Sequence, residues 1–153
     1  MRNELAEIEG CCKGILTETR GLLQWDWDNY VGAFLATFGS DKAQQVNTIC
    51  ERYFMSQWDT GSLSKIPPSV LAIAESLGGL RSSQRLFATR PGEYALAYGA
   101  WWPWGDGKTI SLRIGLVTHN VPDHARYEFF TEFCGWFTPQ PEESETIAAS
   151  DQP

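Results

Sequence analysis

Three tryptophans within four residues, Trp101, Trp102 and Trp104, are the most chemically distinctive group in this chain. An indole held at a surface offers a large rigid apolar plate with one N–H. That combination serves as an anchor for a protein partner or as a stacking platform for a sugar. Adjacent residues on a strand point to opposite faces, so Trp101 and Trp102 cannot both be buried by one helical layer. Trp104 falls in Pro103-Trp104-Gly105-Asp106-Gly107, a turn pattern that leaves its ring at least partly exposed. Trp101, Trp102, Trp104 and Asp106 are therefore the candidate partner-binding residues. The competing reading folds these rings under the chain's own helices.

A second group is basic: Arg81, Arg85, Arg90, Lys108 and Arg113. If Arg113 and Thr109 lie opposite Ile110 and Leu112, they make a positive, polar sheet face able to receive an anion. Arg85 and Arg113 are the candidate anion- or ligand-binding residues. Solubilising charge on a half-exposed sheet explains the same pattern.

Catalytic constellations are thin. His119 and His124, near Asp123 and Glu128, stand five residues apart across Pro122 rather than at the i, i+4 spacing that aligns two ligands on a helix. A loop and helix-cap role suits them better. Cys134 with either histidine would form a thiol–imidazole pair, but no local signature supports it. Gly105-Asp106-Gly107-Lys108 lacks the rest of a phosphate-binding loop. Asp26 and Asp28, in Trp25-Asp26-Trp27-Asp28, read as helix caps rather than as a catalytic pair. Cys11, Cys12, Cys50 and Cys134 contain no CxxC pair. Neither a metal site, a cofactor nor an enzyme is expected.

The elements that must hold these residues come from 153 residues with a net charge of -7, about one domain in size. That acidity argues against nucleic-acid binding. Seven Trp, five Tyr and eight Phe supply ample core material. The uncharged aromatic run is far shorter than a membrane helix needs, no signal peptide is read at the start, and inert thiols in a reducing cytoplasm are the simplest expectation. Charge is uneven: residues 61–130 are mildly basic, whereas 131–153 carry five acids and no base.

Residues 1–79 read as helical. Leu5, Ile8, Cys12, Ile15 and Leu16 recur at helical steps. A second helix is predicted over 29–38, capped by Asp28 and ended by Gly39, with Val31, Phe34, Leu35 and Phe38 on one face. Ser40 would cap a third, built on Val46, Ile49, Cys50, Tyr53 and Phe54. A polar loop over about 57–65 then leads through Pro67 and Pro68 into a short helix over 69–77, closed by Gly78 and Gly79. Beyond this the period becomes two. Strands are predicted over 85–89, around Tyr94, Leu96, Tyr98 and Trp102, and through Ile110, Leu112, Ile114 and Leu116. Phe129, Phe130, Phe133, Trp136 and Phe137 form a last helical face, capped by Asn120 or Asp123, with a strand as the competing reading.

The expected architecture is α+β: about four helices in the N-terminal half, a three-stranded antiparallel meander, and a C-terminal helix on one sheet face. Residues 1–137 form one domain and 138–153 a disordered acidic tail. The function expected from this reading is a non-enzymatic protein-binding module. An inhibitor or immunity-type protein, or a chaperone or adaptor, for a basic partner would fit. The alternative is a small-molecule sensor with an aromatic-lined pocket. Homodimerisation through an exposed strand edge is compatible with either.

Overall fold

Alternation of bulky and small residues after position 85 builds the centre of a six-stranded antiparallel sheet. The computed structural model describes residues 2–138. In chain order its elements are α1 (Arg2–Glu18), β1 (Asp26–Asp28), β2 (Ala33–Gly39), α2 (Ala43–Tyr53), β3 (Ser56–Trp58), α3 (Pro68–Ser76), β4 (Arg85–Ala88), β5 (Ala95–Pro103), β6 (Thr109–Thr118) and α4 (Asp123–Phe137). Short 3-10 turns span Ser40–Lys42 and Thr60–Lys65. The strand order is β1-β2-β6-β5-β4-β3. No described helix is long and apolar enough to cross a membrane. The expected acidic tail lies outside the described residues apart from Thr138.

The α+β class holds, but the three-stranded meander is wrong. The three predicted strands are only the neighbouring trio β4, β5 and β6, and three more strands extend the sheet on both sides. The helix predicted over 29–38 is a turn followed by β2. Phe34 and Phe38, four apart, suit a helical stripe, but with Ala36 they also fit period two, and all three are buried on one sheet face. The turn decides between the periods. Asp28 Oδ1 accepts from the N–H groups of Tyr30 and Val31, as a cap would, but Gly32 then turns the chain back at φ +78°. Residues 33–39 are thereby delivered to β6, where Phe34 faces Ile114 and Phe38 faces Ile110.

The predicted polar loop is also structured. It contains β3, then a 3-10 turn whose first N–H groups are capped by Asp59. Pro67, Pro68 and the Gly78-Gly79 pair bracket α3 as the sequence implies. Helix α4 resolves the helix-or-strand ambiguity of the aromatic run. Pro122 rather than Asn120 or Asp123 occupies its cap position.

Two helical layers cover the sheet unequally. On one face α1, α2 and α4 enclose the main core, in which Phe34 stacks on Phe137 with ring centroids 4.3 Å apart and Phe133 is fully buried. Burial of such a ring contributes about 2–3 kcal/mol. On the other face α3 packs Val70, Ile73 and Ala74 against Leu86, Ala88, Leu96 and Tyr98. That helix reaches only the β4–β5 end. The second face over β1, β2 and β6 therefore carries half-buried Leu35 and Arg113 and exposed Thr37. It is this half-open face that bears most of the chemistry.

Candidate functional site

The register of the strands assembles the open face in cross-strand rows. Thr37 faces Ser111, which faces Trp102; Leu35 faces Arg113, which faces Ala100. In the next row Asp28 is opposite Ala33, and Gly115 is opposite Tyr98. Residues 33, 35 and 37 share this face because Phe34 and Phe38 fill the main core and Ala36 is buried between them. Asp26, opposite Leu35, joins them from β1.

The three tryptophans divide as the pleat demands. Trp101 points into the main core, 4% exposed and edge-on to Phe38. Trp102 points to the other face and is half-buried against the α3 cluster. Trp104 is 52% exposed, yet it is not loose: its backbone N–H donates to Thr109 O at 2.8 Å and its indole Nε1 donates to Ser111 Oγ at 2.8 Å. The ring is thus laid back over the open face at the Ser111 row. Asp106 builds the turn beneath it. One carboxylate oxygen accepts from the N–H groups of Lys108 and Thr109 and the other from Thr109 Oγ1. These donors hold its pKa below the usual carboxylate range, so it stays charged.

The two candidate arginines are not brought together. Arg113 lies on the open face, on the same side as Thr109, with its Nε 3.0 Å from Asp28 Oδ2. Burial opposes ionisation of Asp28, but the hydrogen bonds from Arg113, Tyr30 and Val31 outweigh it and lower its pKa. The positive face expected from Arg113 is therefore neutralised by a carboxylate that the sequence assigned to a helix cap. Arg85 lies on the opposite face. Its guanidinium sits 4.7 Å from the Trp101 ring centroid and 5.4 Å from that of Phe87, and Nη1 donates to Asn47 Oδ1. Burial lowers its pKa.

Tyr98, buried in the α3 cluster, borders the open face. Its ring lies flat across Gly115, where a Cβ would come within 2.4 Å of its hydroxyl oxygen. Burial pushes its pKa up to about 12, so it stays a neutral phenol beside the Asp28–Arg113 pair. Of these residues, Asp26, Asp28, Thr37, Tyr98 and Ser111 were not singled out as site residues from the sequence. A signal existed for two of them. In Trp25-Asp26-Trp27-Asp28 the alternation itself is a strand pattern, with Trp27 sent to the Phe34 side and both aspartates to the other.

Elsewhere the chemistry is structural. His119 Nε2 makes a 3.0 Å hydrogen bond with Gly92 O, His124 is exposed in the first turn of α4, and no cluster of metal ligands occurs among the described residues. Cys11, Cys12 and Cys50 are buried, with burial pushing the Cys11 and Cys50 pKa values up to about 12. Two grooves of about 520 and 240 Å³ run along the helical layer, and neither is lined by Arg85 or Arg113. The larger has no aromatic lining residue. Comparison of the chain with models of protein families, with curated proteins and with solved structures finds no match to any of them.

Proposed function

We propose that this chain is a non-enzymatic protein-binding module whose partner docks on the half-open face over β1, β2 and β6. An inhibitor, immunity-type protein or adaptor for a basic partner fits this description. The observation that carries the reading is Trp104, a ring half exposed to solvent whose indole is already held by one hydrogen bond and whose backbone is held by another. An anchor that is ordered before binding loses little rotamer freedom on docking, so more of its burial energy appears as affinity. Trp102, Leu35 and Thr37 extend a mixed apolar and hydroxylated surface around it. The net charge of -7 favours encounter with a basic partner.

The test is affinity capture from a lysate of the source cells with the tagged wild type and its Trp104→Ala variant, both checked for folding by circular dichroism. The reading expects one protein captured in stoichiometric amount by the wild type and at least tenfold depleted with the variant, as loss of a hot-spot residue of about 1.4 kcal/mol or more implies. Equal capture by both chains refutes it.

A further inference from the structure

The chemistry left free on this face selects the kind of side chain that can dock there. The indole Nε1–H of Trp104 is already committed to Ser111 Oγ, so the ring has no donor left for a carbonyl or carboxylate. What remains presentable is its π face, which carries negative potential. Arg113, the cation of the strand rows, is held by Asp28. Asp26 is exposed on the same face, and its carboxylate makes no hydrogen bond or ion pair among the described residues.

We infer that the face receives a basic protein segment, one cationic side chain lying on the Trp104 ring and a second meeting Asp26. This rests on the docking surface proposed above. The indole overlies the Ser111 row and Asp26 belongs to the Leu35 row, two residues along the strands and two strands across. At about 3.3 Å per residue and about 4.8 Å per strand that separation is roughly 12 Å. Two basic side chains four residues apart on an extended segment span the same distance, about 13 Å.

The probes are three five-residue peptides, acetyl-Xaa-Gly-Ser-Gly-Xaa-amide with Xaa as Arg, Leu or Glu, titrated into the full chain at low salt. The Trp104 indole N–H and the Ser111 amide report binding by NMR. The Arg peptide is expected to shift both and to bind about fivefold or more tighter than the Glu peptide. Asp26→Asn should weaken it about two- to fivefold, the scale of a surface ion pair. Trp104→Phe should retain more binding than Trp104→Leu, since phenylalanine keeps a π face. If the Leu peptide shifts the same resonances as strongly as the Arg peptide, the docking surface stands and its cation preference is overturned. If the Arg peptide binds but leaves these two resonances unmoved, or no peptide binds, the inference is likewise overturned, and capture with Trp104→Ala decides the surface itself.

Discussion

Replacing Gly115 by alanine should unsettle the floor of the docking face more than an added methyl normally does. The new Cβ would sit 2.4 Å from Tyr98 Oη and 2.5 Å from two of its ring carbons. Ordinary carbon contacts lie near 3.5–4.0 Å, so the ring would have to retreat by about 1 Å or more. Tyr98 is 5% exposed and packed against the α3 cluster, which leaves it little room. Overpacking of this kind costs about 1–3 kcal/mol, and we expect about 2 kcal/mol here. With a urea m-value of about 2 kcal/mol/M, the unfolding midpoint falls by about 1 M. The cost belongs to the ring, so it should vanish when the ring is removed. In a Tyr98→Leu background, which deletes the clashing atoms, Gly115→Ala should be neutral within about 0.5 kcal/mol or mildly stabilising, because alanine restricts the unfolded chain. Urea unfolding of the four chains measures this. If Gly115→Ala costs as much with leucine at position 98 as with tyrosine, the contact does not explain the glycine, and the stacking argument for this face is wrong.

Other outcomes follow from the same geometry. Asp28→Asn should cost about 1–3 kcal/mol near neutral pH, since it leaves Arg113 without its carboxylate. The Asp28 pKa is lowered on folding, so its contribution is full above the unfolded value of about 3.9 and is lost as pH falls through the folded value. Wild-type and variant stabilities should accordingly converge in acid, which unfolding curves at pH 7 and pH 2.5 would check. Thr19→Val should cost about 1–2 kcal/mol, because fully buried Thr19 Oγ1 accepts from Trp25 Nε1 and donates to Ile15 O; thermal unfolding reports it. Cys11, Cys12 and Cys50 should resist a thiol reagent such as Ellman's at neutral pH, with half-buried Cys134 modified first and all four reacting in denaturant.

What was legible in the sequence divides by how locally each feature is determined. Helix α3 was readable because two prolines and two glycines punctuate it, and the β5–β6 hairpin because its turn has several turn-forming residues in a row. The opposite placement of Trp101 and Trp102 needed only the pleat. Strand β2 was misread because Phe34 and Phe38 satisfy both periods, and the choice between them was made by a turn at Gly32 and by pairing with β6, far along the chain. The same non-local pairing hid the partner of Arg113. Asp28 is 85 residues away, and only the β1-β2-β6 order brings it near. Arg85 and Arg113 looked like one basic set because charge counts carry no face; alternation along β4 and β6 sends them to opposite sides.

Hydroxyl-radical footprinting of the full chain, free and bound to its captured partner, tests the central claim most directly. Trp104 on the open face and Tyr127 on α4, behind the opposite helical layer, are both exposed in the free chain, at 52% and 74%. The account predicts that binding protects Trp104 severalfold and leaves Tyr127 unchanged. A complex in which Trp104 oxidises as fast as in the free chain would contradict it.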